Sequence, residues 1–317
     1  MTRTLRQWNI NCLHGAASSP AHPVAAAAIM AVLAPINPDL IFFQESCVQS
    51  FAPPPPGCTH PPSHWDHLPS SSPRILQLHA LLRAAGYETV QAAVDGCPNP
   101  AMLATRLPIT SVEDAFIIDT EPFCSRMRAQ QPPELRSARF VGLSVGQGGH
   151  AVEVVAVVSH LHHKETVESS GLRLAEVRCI TQRLRATLRS NPRAAAVFAT
   201  DFNSPRRQDY NPREWAVITQ MKQKLGEVAV DGVAEELERE GFACTYGGSA
   251  PAFTHWSATT VDFACVDVCD DDLLDICNVF QVRAAGGAGL LGVGGGGRVC
   301  NCAGRAGRGI GPSASGA

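Results

Sequence analysis

No stretch of this chain is apolar over the ~20 residues that a membrane-crossing helix needs. The richest candidate, VAAAAIMAVLA at residues 24–34, is half that length and reads as a buried helix. An excess of positive charge is equally absent. With 26 Lys and Arg against 29 Asp and Glu, the net charge is −3. That excludes a chain held to nucleic acid by its overall field, though a local basic groove remains open. A secretory leader is not expected, because a strand-like segment begins within five residues of Met1. The 12 cysteines are irregularly spaced, which argues against a disulfide framework. The expectation is a soluble protein with reduced thiols, in the cytoplasm or nucleus. There are no internal repeats.

What is present is a long globular core. The chain has 317 residues, of which 45% are hydrophobic, enough for a substantial interior. Strands are expected at 4–13, 38–46, 87–93, 101–106, 114–118, 138–145, 151–159 and 194–200. Residues 261–268 (VDFACVDV) read as the last convincing strand. Helices are expected at 24–34, 74–85, 172–189 and 213–225. In the third, Leu172, Val177, Ile180, Leu184 and Leu188 share one face, with Arg173, Arg178, Arg185 and Arg189 largely off it. Residues 52–73 are too rich in proline for regular structure and form an insertion. Residues 284–317 are Gly/Arg-rich, contain no acidic residue and show little periodicity. They read as a disordered tail beside one domain spanning 1–283.

The strand ends carry the chemistry. RAAAVFATDFNSPR (193–206) is a small, apolar strand that runs into Asp201-Phe202-Asn203. Residues two apart in an extended chain share a side, which suits a carboxylate and an amide to a metal, a water or a phosphate oxygen. A turn that caps its own backbone with Asp and Asn would have the same sequence. Asn9 and Asn11 close the first strand, Gln44-Glu45 the second and Ser159-His160 another, while Asp262 opens the last. His160 is followed by Leu161-His162-His163, so exposed neighbours compete with it for any role. Cys58, His60, His64 and His67 lack the ligand spacing of a zinc site. Arg206, Arg207 and Arg213 follow the Asp-Phe-Asn tip, either to meet a polyanionic substrate or as part of a solvated loop.

In order and spacing, over residues 4–268, these motifs resemble the endonuclease/exonuclease/phosphatase superfamily, the DNase I-like proteins. AMLATRLPI (101–109) and PAFTHW (251–256) resemble further segments of that family. VVSHLHHKE, followed by an Arg-rich helix, is most similar to its tyrosyl-DNA phosphodiesterase and nuclease-like branches. The resemblance implies an α+β fold, a four-layer α/β/β/α sandwich of two mixed β-sheets flanked by helices. It also implies hydrolysis of phosphate esters with Mg²⁺ or Mn²⁺, held on the side of Glu45, Asn9 and Asn11. Asp201 would handle the attacking water, Asn203 and His160 would contact the phosphoryl group, and Asp262 would support a histidine. The implied partner is a phosphate-ester substrate, nucleic acid among the classes left open, and the chain is taken as a monomer.

Two departures stand out. Asn11 occupies a position where many members carry Asp. The family's terminal Ser-Asp-His is missing, since no histidine follows His255. One such phosphate-contacting donor is worth ~10²–10³ in rate. A missing final strand would also expose a sheet edge. The sequence thus leaves open a catalytically impaired member that binds phosphate or a partner.

Overall fold

The computed structural model describes residues 3–11, 26–44, 73–94, 101–120, 135–146, 151–162, 167–191, 194–207, 210–224, 226–229, 232–244, 262–267, 274–279 and 297–298. In chain order the elements are β1 (Arg3–Asn11), α1 (Ala26–Ile36), β2 (Leu40–Gln44), α2 (Pro73–Ala84), β3 (Glu88–Gln91), β4 (Met102–Thr105) and β5 (Ile109–Val112). There follow β6 (Phe116–Ile117), β7 (Ser137–Val145), β8 (Val152–Ser159), α3 (Val167–Ser190), β9 (Ala195–Asp201) and α4 (Pro212–Lys224). The rest are α5 (Gly232–Arg239), β10 (Ala243–Cys244), β11 (Asp262–Asp267), β12 (Leu274–Val279) and β13 (Gly297–Arg298).

Two mixed sheets result. One runs β13-β12-β1-β2-β4-β3, and the other β10-β11-β9-β8-β7-β5 with β6 also paired to β7. The period-2 alternation of buried strands decides which side chain enters which layer. Leu40 and Phe42 of β2 point between the sheets, where they meet Val154, Ala156 and Val158 of β8 and Ala195, Val197 and Ala199 of β9. The intervening Ile41 and Phe43 turn to the other side and pack under Ile29 and Leu33 of α1 and Leu78 and Leu82 of α2. On the second sheet, Val155, Val157, Ala196 and Phe198 turn outward against Val177, Ile180 and Leu184 of α3 and Val233 and Leu237 of α5. The layers are therefore helix, sheet, sheet, helix, as the resemblance implies. Strands buried on both faces need apolar residues throughout, which explains runs such as LIFF and AAVFA.

Four differences from the sequence reading have physical causes. β12 follows the strand taken as the last and lies parallel to β1, pairing Leu5 with Ile276 and Trp8 with Val279. A final strand, expected to be missing, is therefore supplied by LDICNV, whose embedded Asp and Asn disguise it. β13 pairs with β12 from inside the Gly/Arg-rich segment. The rest of 284–317, and 52–72 of the proline-rich insertion, lie outside the described residues. The short β5 and α5 escape a periodicity reading because four and eight residues carry too little pattern. Finally, α3 begins at Val167, and Arg173 is buried at 1% exposure whereas Leu172 is only half-buried. In the helix's first turns Arg173 and Glu176 turn to the main chain of His162, which breaks the apolar stripe. Among the described residues, no helix is long and apolar enough to cross a membrane.

Candidate active site at the ends of β8 and β9

β8 and β9 are parallel, with Val157 beside Phe198. Continuing that register brings Ser159-His160 alongside Thr200-Asp201. A row of buried hydroxyls ties these ends together. Ser137 Oγ donates to the Ala92 carbonyl, Ser159 Oγ to the Ser137 carbonyl at 3.2 Å, and Thr200 Oγ1 to the Ser159 carbonyl at 2.7 Å. Since Ala92 follows β3 of the other sheet, the row links both sheets at this end.

Asp201 is 1% exposed, and a carboxylate so placed must be hydrogen-bonded. Its Oδ1 accepts the Asn203 main-chain N–H at 2.8 Å. Asn203 takes φ = 50°, a left-handed conformation that Asn tolerates better than most residues. Its Nδ2 donates to the Leu161 carbonyl at 3.3 Å. The self-capping turn is thus realised, and it is also what joins the β9 tip to the segment after β8. His160 lies in that segment and is buried at 3% exposure. His162 is buried as well, but its main chain is held from another direction; His163 lies outside the described residues.

β11 runs antiparallel to β9, and Asp262 is the cross-strand partner of Asp201. Four of the expected site residues, His160, Asp201, Asn203 and Asp262, therefore sit on neighbouring strand ends. In the other sheet β1 places Asn9 beside Phe42 and Asn11 beside Gln44, and it packs across the sandwich on β9 and β11. Glu45, the residue after Gln44, lies outside the described residues. Gln44 is buried, and its Oε1 accepts no hydrogen bond among the described residues. Among the described residues no group of three His, Cys, Asp or Glu side chains is close enough to hold a metal ion.

Sequence reasoning missed two residues here. Arg173 and Glu176 of α3 are buried at 1% and 2% exposure. Glu176 Oε2 accepts the His162 N–H at 2.8 Å, and Arg173 Nη1 donates to the His162 carbonyl at 3.3 Å. Arg173 Nη2 also donates to Ser170 Oγ at 2.9 Å. An Arg and a Glu three apart on a helix share a face. That spacing, on the helix that follows a His-Leu-His-His run, was the available signal.

Of the three arginines after the tip, two are engaged within the protein. Arg206 is buried, with Nη2 3.6 Å from Glu238 Oε1. Arg207 donates to the Tyr210 carbonyl at 2.8 Å and lies over the Trp215 ring. Arg213 is exposed.

No protein-family model matches the sequence, and no curated protein sequence matches it. Solved structures do. An endonuclease/exonuclease/phosphatase from Beutenbergia cavernae superposes with TM-score 0.51 at 18% identity, over 84% of this chain and 64% of that one, so this chain spans less than two thirds of it. One from Bacteroides vulgatus gives TM-score 0.51 at 13% identity, covering 86% and 90% of the two chains. A mannosyl-6-phosphatase from Bacteroides thetaiotaomicron gives 0.50 at 9% identity, covering 89% and 88%. With its two mixed sheets between helical layers, the chain has the DNase I-like fold of the endonuclease/exonuclease/phosphatase proteins.

Proposed function

We propose that this chain is a divalent-metal-dependent hydrolase of phosphate esters, and a phosphodiesterase within that class, with nucleic acid among its candidate substrates. The observation that carries the reading is the joining of a buried carboxylate and a buried histidine on adjacent parallel strand ends. Asp201 holds the Asn203 N–H, and Asn203 in turn holds the Leu161 carbonyl next to His160.

The donor types suit Mg²⁺ or Mn²⁺. Glu45, Asn9 and Asn11 offer hard oxygens, and buried Gln44, whose amide oxygen has no partner among the described residues, precedes Glu45 in the chain. When bound, such an ion neutralises charge on the phosphoryl oxygens and on the leaving group. Asp201 orients the attacking water and takes its proton. Asn203 spends one of its two amide N–H donors on Leu161, which leaves the second for a phosphoryl oxygen. His160, when protonated, would donate to the same phosphoryl group and stabilise its added charge. Asp262 is the cross-strand partner of Asp201, and the role that the resemblance gives it is to orient a histidine.

The test is hydrolysis of bis(4-nitrophenyl) phosphate by the purified chain with Mg²⁺, with Mn²⁺ and with EDTA. Turnover that needs either ion, and that is lost in Glu45→Gln, supports the reading. A second reading is a catalytically impaired chain that binds phosphate or a partner, favoured by the absence of any histidine after His255. A folded chain that binds inorganic phosphate but shows no turnover would establish it.

A further inference from the structure

Resting on that hydrolase reading, we infer that Arg173 and Glu176 are positioning residues that hold His160 in register with Asp201. A side-chain pair on α3 takes both main-chain polar groups of His162. Glu176 accepts its N–H at 2.8 Å, and Arg173 donates to its carbonyl at 3.3 Å. Together the two side chains do for His162 what a neighbouring strand would do, at the point where β8 has left its ladder. The next carbonyl back, that of Leu161, is held by Asn203, and Asn203 is held by Asp201. The three residues His160 to His162 are thereby fixed from the α3 side and from the β9 side at once.

The cost of this arrangement argues for a purpose. Burying a guanidinium and a carboxylate is expensive, and apolar side chains of similar volume often serve stability as well or better. Arg173 is among the largest fully buried side chains of the described residues. What the pair gives that apolar residues cannot is a fixed main-chain position two residues from His160. A positioned donor is sensitive to this, since a ~1 Å misplacement costs about 100-fold in rate.

The experiment compares Glu176→Met, Glu176→Gln and Ser170→Ala with the wild-type chain. Each is assayed for kcat and KM on bis(4-nitrophenyl) phosphate. Each is also followed by NMR, through the His160 ring signals (assigned with His160→Asn) and the His162 amide shift. Removing the acceptor in Glu176→Met should lower kcat by roughly 10–100-fold with KM unchanged and displace the His160 ring signals. Glu176→Gln, which keeps an oxygen at that place, should recover most of the loss. Ser170→Ala, which removes one acceptor from Arg173, should move kcat and the ring signals the same way by a smaller factor. A folded Glu176→Met with wild-type kcat and unmoved His160 signals overturns the inference, as does a Gln variant no better than Met. Where Glu176→Met does not fold, Ser170→Ala decides, and wild-type behaviour there overturns it. Absence of turnover in the wild-type chain would count against the hydrolase reading alone, because the His160 signals still decide the positioning claim.

Discussion

The main-chain N–H of Asn203 donates to Asp201 Oδ1 at 2.8 Å, in a turn where Asn203 carries φ = 50°. One short contact thus performs two tasks that the sequence presents as rivals. It caps the β9 strand, and it fixes the relation between a buried carboxylate and the amide two residues on. The conformation itself is testable. Ala at a left-handed position is penalised by about 1–2 kcal/mol, whereas Gly is not. Both variants lose the hydrogen bond to Leu161. Asn203→Gly should therefore be more stable than Asn203→Ala by about 1 kcal/mol in urea unfolding. Equal stabilities would mean that the turn does not hold this geometry in solution.

Thr200 Oγ1 donates to the Ser159 carbonyl at 2.7 Å inside the buried hydroxyl row. Thr200→Val preserves shape and leaves that donor out. The expected loss is about 1–2 kcal/mol by chemical denaturation, with little loss of core packing. A neutral substitution would show that the carbonyl needs no donor there.

Glu236 is 2% exposed at its side chain and receives Arg178 through two hydrogen bonds of 2.9 and 3.0 Å. Burial pushes this carboxyl up, but the Arg178 hydrogen bonds and the charges of Arg178 and Arg239 outweigh it and hold it below the usual carboxylate range. Because the folded-state value is depressed, the stabilisation is fully present above the ordinary Glu range and is lost as pH falls through the folded value. Melting curves of the wild-type chain and Glu236→Gln should differ at pH 7 and converge toward pH 3. Parallel curves across that range would contradict the pairing.

His79 of α2 is buried beneath the outer face of the first sheet, and its Nε2 has no hydrogen-bond partner among the described residues. Burial, and after it the charge of Arg83, hold this imidazole below its ordinary value. Unfolding therefore takes up a proton, and the contribution of His79 to stability falls as pH drops below about 6.5. His79→Leu should flatten that fall and stabilise the fold by about 1 kcal/mol at pH 5.5. Unchanged acid sensitivity in the variant would count against a buried neutral histidine.

Much of the fold was legible because two-sided burial writes itself into residue type. LIFF and AAVFA are apolar at every position, as strands between a sheet and a helix layer must be. α3 was legible through Val177, Ile180, Leu184 and Leu188, all buried. Its first turns were not, because Arg173 and Glu176 serve a loop and so break the apolar stripe. β12 was hidden by Asp275 and Asn278, which strand propensity disfavours. At the candidate site, the strand-end residues could be read as a set, and the structure places four of them on adjacent ends. Their mutual hydrogen bonds could not be read, because a turn that caps itself and a turn that builds a site share one sequence.

The most direct test of the proposed chemistry is kcat for Asp201→Asn against the wild-type chain on an aryl phosphodiester with Mg²⁺. The substituted amide keeps an Oδ1 to accept the Asn203 N–H, so the turn and the melting temperature should hold. Loss of the carboxylate should lower kcat by roughly 10²–10⁴. A folded Asp201→Asn chain with wild-type kcat would show that the hydrolytic centre lies elsewhere.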